Sequence, residues 1–225
     1  MTLKLYLHPL SSFCWKALIA LYENDTPFEP VVVDLHNEQS RAAFVKLWAA
    51  GKFPVLRDEA RNRTIPESTI IIEYLAQHYP GKSKLVYDDP DLARQTRLRD
   101  RFFDLYIHVH MQKVMGDNLR PQGQRDPFGV DYAKSQMRNA YDMLEGDLAN
   151  KTWAMGDDFT MADCAAAPAL FYGSMAEPIG SSHRHVAAYL ERLKQRPSFA
   201  RVLKEAEPYF AMIPKPQGAS AKVQA

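Results

Sequence analysis

The sequence predicts a small α/β domain followed by an all-α domain, and three observations carry that reading. Within about the first eighty residues two hydrophobic periods alternate, a period of two in short runs and a helical period between them. From Asp91 onward only the helical period recurs. Between them lies GKSKLVYDDP, residues 81–90, a polar and turn-rich stretch that reads as a linker. The expected layout is an α/β domain over 1–80, the linker over 81–90, a helical domain over 91–213 and a disordered tail over 214–225.

Element by element, LKLYL (Leu3–Leu7) alternates apolar residues with Lys4 and reads as a strand. SSFCWKALIALYEN reads as a helix opened by a serine cap. Phe13, Ala17, Ala20 and Leu21 mark one face of it, and Trp15, Leu18 and Tyr22 another. A helix apolar on two faces is covered on two sides, here by a sheet beneath and a further domain above. FEPVVVDL is a valine-rich strand, EQSRAAFVKLWAA a weaker helix, and FPVL and RTI two short strands joined by a polar turn. ESTIIIEYLAQHY closes the unit as a helix stopped by Pro80-Gly81. The order βαβ, α, ββα implies a parallel pair followed by an antiparallel hairpin. Helices are then expected at Asp91–Met115, Tyr132–Leu148, Ala162–Tyr172, Val186–Lys194 and Phe199–Phe210. In GDDFTMADCAAAPAL, Thr160 and Asp163 fit a capping box.

Composition narrows the function classes. Lys plus Arg is 28 and Asp plus Glu 27, so no global charge bias points to nucleic acid or anionic lipid. The basic run RQTRLRDRFFD is interleaved with Asp100 and Asp104 and reads as an ion-paired helix face. Two cysteines, Cys14 and Cys164, make no disulfide framework and suit a reducing compartment. MTLKLYLHPLSS lacks the apolar core of a signal peptide, and no run approaches the roughly 20 apolar residues of a membrane span. The expectation is a cytoplasmic protein with neither nucleic-acid nor membrane partners.

Three local features bear on chemistry. Ser11-Ser12 stands where the first strand hands over to the first helix, which is either a plain N-cap or a place that favours an anion such as a thiolate. Glu67-Ser68 opens the third helix, as first-turn residues or as ligands for a group bearing ammonium and carboxylate. Pro54 opens the third strand, as an edge-strand proline or a cis proline in a tight turn. His108-Val109-His110 and His183-Arg184-His185 resemble metal pairs, but on predicted helices residues i and i+2 do not share a face, so no metal is expected.

Taken together, these features resemble the glutathione transferase family, and the likeness spans nearly the whole chain. SSFCWKALIALYENDTPFE is similar to the zeta and theta-like serine classes, and GDDFTMADCAAAPAL to the family's folding motif. The resemblance implies a thioredoxin-like first domain, a helical second domain and a homodimer. It implies that Pro54 is cis and that Phe53 turns its backbone toward the cysteinyl part of glutathione. Glu67 and Ser68 would hold the γ-glutamyl end, with Lys52 and Gln39 near the glycine carboxylate. Ser11 would donate a hydrogen bond to the sulfur, with Ser12 in reserve. Tyr106, His108, His110 and Met111 would line the electrophile pocket. The implied reaction is attack of the bound glutathione thiolate, as co-substrate, on a small apolar electrophile. Some positions depart from the family pattern: Trp48-Ala49-Ala50 replaces Asn-Pro, Phe53 a small aliphatic, and Phe13 the cysteine of zeta members. Two rival readings are a glutathione-dependent disulfide reductase or peroxidase using Cys14, and a non-catalytic glutathione-binding protein.

Overall fold

Strand β1 (Leu3–Leu7) is the pivot of a four-stranded sheet ordered β2-β1-β3-β4 in a computed structural model that describes residues 2–213. The tail expected over 214–225 lies outside the described residues. β2 (Glu29–Val32) runs parallel to β1, β3 (Val55–Asp58) is antiparallel to β1, and β4 (Arg63–Pro66) is antiparallel to β3. Leu5 lies opposite Pro30 on one side and Leu56 on the other. Pro30 is tolerated because β2 is an edge strand. Pro54 costs the ladder nothing, since β3 begins at Val55. Three helices complete the unit in the expected order: α1 (Ser12–Glu23), α2 (Glu38–Leu47) and α3 (Ser68–His78). This is a thioredoxin-like domain.

The helical domain follows as α4 (Pro90–Phe102), α5 (Val109–Asp117), α6 (Pro127–Asp147), α7 (Met161–Ala176), α8 (Arg184–Gln195) and α9 (Pro197–Ala206). The run expected as one helix over Asp91–Met115 contains a π-helical turn, Phe103–His108, between α4 and α5. The wider turn lets Phe103, Asp104, Ile107 and His108 all face inward. α6 starts five residues earlier than expected, because Asp126 accepts the Gly129 N–H as an N-cap and Pro127 occupies the first turn. The last expected helix ends at Ala206 and passes into a 3₁₀ turn, Glu207–Met212, with Pro208 in its first turn. His183 is the N-cap of α8 rather than a helical residue. His183 and His185 bind separate acids, Asp142 at 2.7 Å and Glu145 at 3.0 Å.

One hydrophobic core runs through both domains. α1 packs on α3 and also on α7 and α9, and ten of its residues are buried. Leu3, Leu5 and Leu56 of the sheet join Trp15 and Ile19 of α1 and Ala165 and Leu170 of α7 in one cluster. That is the two-sided cover its sequence predicts. At the start of α7, Asp163 accepts from the Thr160 N–H at 2.8 Å and Thr160 Oγ1 accepts from the Ala162 N–H at 3.3 Å, the reciprocal cap read from the sequence. Among the described residues no helix is long and apolar enough to cross a membrane.

Candidate active site

Two cavities meet at the N-terminus of α1. The first, about 440 Å³, is walled by the loop before β3 and the start of α3: Lys52, Phe53, Pro54, Glu67, Ser68 and Thr69. The Phe53–Pro54 bond is cis. Gly51 opens this loop at φ +61°, a conformation glycine adopts at no steric cost. Glu67 lies at φ 69°, ψ 121°, where a side chain is strained by about 1–3 kcal/mol. It makes no side-chain cap, so its carboxylate stays exposed beside the cavity while Ser68 is buried behind it.

Beneath this cavity lies a buried charge cluster. Lys16 Nζ contacts Asp100 Oδ1 at 2.7 Å, Asp104 Oδ2 at 2.8 Å and Thr69 Oγ1 at 2.8 Å. The Thr69 hydroxyl in turn donates to Asp100 Oδ2 at 2.8 Å. Two carboxylates face one ammonium, and Asp104 Oδ1 is buried with no hydrogen-bond partner. Burial outweighs the nearby lysine and pushes the Asp104 carboxyl up. Asp104 also lines the cavity and its Oδ2 meets Arg101 Nη1 at 3.5 Å, so Lys16 and Arg101 together balance the two carboxylates, and Lys52 adds positive charge to the rim.

The second cavity, about 340 Å³, is mostly apolar, with Leu10, Met111, Met115, Leu119 and Tyr172 in its walls and Ser12 at its edge. Gln112 borders both cavities, and Ser12 and Phe13 face one each. Ser11 is the N-cap of α1, its Oγ accepting the Cys14 N–H at 3.3 Å. Ser12 Oγ lies 2.6 Å from His108 Nε2. Cys14 is fully buried, and burial pushes its thiol up to about 12, so it stays protonated at neutral pH.

The structure therefore brings Lys52, Phe53, Pro54, Glu67 and Ser68 to one cavity, with Ser12 on the neighbouring one; Ser11 caps α1 between Leu10 and Ser12 and lines neither. Gln39 does not join them: it is exposed on α2 and borders neither cavity. Of the four residues expected in the electrophile pocket, Met111 lines the apolar cavity. Tyr106 points outward and stacks on Phe102 at 5.2 Å, and His110 meets Tyr132 edge-on at 6.4 Å. His108 is buried behind Ser12 rather than in the wall. Sequence reasoning missed Phe13, Asp104, Gln112, Met115 and Tyr172. Helical spacing was the available signal for two of them, since Gln112 follows His108 and Met115 follows Met111 by four residues.

Comparison with known proteins fixes the family. The family model described as glutathione S-transferase, N-terminal domain, matches residues 5–83, and the model for the C-terminal domain matches residues 103–197. The chain belongs to the glutathione transferase family. It is 25% identical to glutathione S-transferase GstB of Escherichia coli over 190 residues, which covers 84% of this chain and 91% of that protein. Its fold is similar to that of the glutathione transferase URE2P8 from Phanerochaete chrysosporium, solved with oxidized glutathione, at a TM-score of 0.83 and 23% identity over 93% of this chain and 97% of that one. A glutathione S-transferase from Methylobacillus flagellatus, solved with glutathione bound, aligns at a TM-score of 0.80 and 20% identity over 89% of this chain and 98% of that one.

Proposed function

We propose that the protein binds glutathione in the first cavity and activates its thiol for attack on a small electrophile held in the second. The observation that carries this is the convergence of Lys52, Phe53, Pro54, Glu67 and Ser68 on one cavity that abuts the start of α1, with an apolar cavity next to it. The exposed Glu67 suits the γ-glutamyl ammonium, and the first turn of α3 suits its carboxylate. Lys52 suits the glycine carboxylate. Ser11, at the N-cap of α1 where free N–H groups favour an anion, is the proposed donor to the sulfur; its oxygen already accepts the Cys14 N–H.

The magnitudes are sufficient. Lowering a thiol pKa from about 8.5 by two units takes about 2.7 kcal/mol. A hydrogen bond to a charged group contributes roughly 1.5–3 kcal/mol and a helix N-terminus roughly 0.3–1 kcal/mol. The Cys14 route offers no accessible thiolate, which favours serine over cysteine chemistry. A second copy of the chain on the exposed apolar face of Ile70, Leu98, Leu105 and Val109 would close the outer side of the glutathione cavity, which Ile70, Leu105 and Val109 also line.

The deciding experiment is a spectroscopic titration of the glutathione thiol on the wild-type protein and on Ser11→Ala. A bound thiol pKa well below its solution value, returning by about one to two units in Ser11→Ala, supports serine activation. Tight binding with an unshifted thiol would leave a glutathione-binding protein without transferase chemistry.

A further inference from the structure

Ser11 is reached through residues 8–10, which belong neither to β1 nor to α1, so no ladder or helix holds their backbone. Its polar groups are instead taken up one by one. The Ser11 N–H donates to the His8 carbonyl at 2.9 Å, the Leu10 N–H to His8 Nδ1 at 3.2 Å, and the Trp15 indole N–H to the Pro9 carbonyl at 2.6 Å. Those partners are local, whereas the Leu10 carbonyl is held from the helical domain: the Tyr172 hydroxyl of α7 donates to it at 2.9 Å across 162 residues of chain. A carbonyl only accepts, so the direction of this bond is fixed. Tyr172 is itself locked, buried with its ring against Trp15 at 4.8 Å and edge-on to Phe171 at 5.3 Å. The Leu10 carbonyl and the Ser11 N–H are the two poles of one planar peptide unit. Tyr172 grips one pole and His8 the other, which fixes the rotation of that plane and so the direction in which Ser11 Oγ points.

We propose that Tyr172 is a positioning residue for Ser11: by holding the Leu10 carbonyl it aims the serine hydroxyl at the glutathione sulfur. This rests on the transferase reading above. A hydrogen bond weakens steeply as its angle falls, so a donor that can swing stabilises a thiolate less than one held in line. The serine stands in the thioredoxin-like domain, but the group that aims it belongs to the helical one. Tyr172 also stands in the wall of the apolar cavity, where an electrophile would touch its ring. Its action through Leu10 is therefore separable from that contact only when glutathione is bound alone.

The test is the titration of the bound glutathione thiol, without electrophile, in the wild type, Tyr172→Phe and Tyr141→Phe. Both protein cysteines are buried and stay protonated at neutral pH, so the signal belongs to glutathione. Tyr172→Phe removes one oxygen and keeps the ring. The bound thiol should then titrate about half to one unit higher, with glutathione binding about three- to tenfold weaker at pH 9 and changed by less than about twofold at pH 5, where the thiol is protonated. Tyr141→Phe is the matched control, because that buried hydroxyl also donates to a backbone carbonyl, Glu177 at 3.3 Å, away from α1. It should leave the bound thiol unmoved. In a Ser11→Ala background Tyr172→Phe should add nothing, since its effect passes through the serine. An unmoved thiol in Tyr172→Phe, an equal shift in Tyr141→Phe or an additive shift on Ser11→Ala would overturn the positioning role and leave the transferase reading intact. A wild type whose bound thiol is unshifted would remove both. Hydrogen exchange of the wild type needs no variant: the Leu10 and Ser11 amides should exchange as slowly as those inside α1, and exchange at the rate of an open loop would overturn the proposal.

Discussion

Glu23, the last residue of α1, is charged yet 5% exposed, and it accepts from three donors of the helical domain and one of the linker. Arg196 binds it in a fork, Nε at 2.9 Å and Nη2 at 2.7 Å, while Ser198 and Ser83 add hydroxyls at 2.5 and 3.2 Å. Burial pushes the carboxyl up, but these hydrogen bonds together hold it below the ordinary glutamate value. A depressed carboxyl contributes stability that is present above the unfolded value of about 4.5 and is lost as pH falls through the folded one. Glu23→Gln should therefore lower stability at pH 7 by roughly 1.5–3 kcal/mol and flatten the loss on acidification, as read by urea melts from pH 7 to pH 3. A mutant curve parallel to the wild type would show that Glu23 is not a source of the acid sensitivity. Nothing in the sequence pairs Glu23 with Arg196, 173 residues away. The same holds for Ser12 with His108, because side chains that meet only through tertiary packing leave no local pattern.

Elements were more legible where a local motif fixes them. The cap of α7 is the clearest example, since Thr160 and Asp163 lie within one turn and the chemistry of each names its partner. Asp163 does more than the motif requires: it also accepts from the Ala154 N–H at 2.8 Å and the Tyr189 hydroxyl at 2.5 Å, all buried. Thr160→Ala should thus cost about 1 kcal/mol, whereas Asp163→Ala, which orphans four buried donors, should cost about 3–5 kcal/mol. Thermal or urea unfolding checks the ranking, and equal costs would mean that Asp163 serves only as a cap. The π-helical turn at Phe103–His108 had no such signature. Its residues keep an apolar helical rhythm, and the one-residue slip shows only in which side chains end up inside. That slip is why the pocket residues expected from this segment were displaced, with Tyr106 and His110 turned away and Gln112 brought in. The loop before β3 and the opening of α3 were legible because their proline, glutamate and serine stand at element boundaries, where backbone needs are local.

At the scale of the molecule, Ile70 of α3, Leu105 of the π-helical turn and Val109 of α5 are exposed apolar residues lining the first cavity, and Leu98 of α4 is exposed as well. Exposed apolar side chains of this kind are what the proposed second copy would cover. Sedimentation velocity at micromolar concentration should show a dimer, and Leu98→Glu should shift it toward monomer and weaken glutathione binding. A wild-type monomer would discard this part of the proposal.

α1 is bound to the helical domain along its whole length: Ser12 to His108, Trp15 against Phe171 and Tyr172 at 5.2 and 4.8 Å, Lys16 to Asp100 and Asp104, and Glu23 to Arg196. Residues 81–90 are thus a seam in the chain but not in the packing. A chimera joined there, with one relative's first half and another's second, would inherit a helix cut for the wrong socket. Productive crossovers would have to exchange α1 together with the helices that receive it.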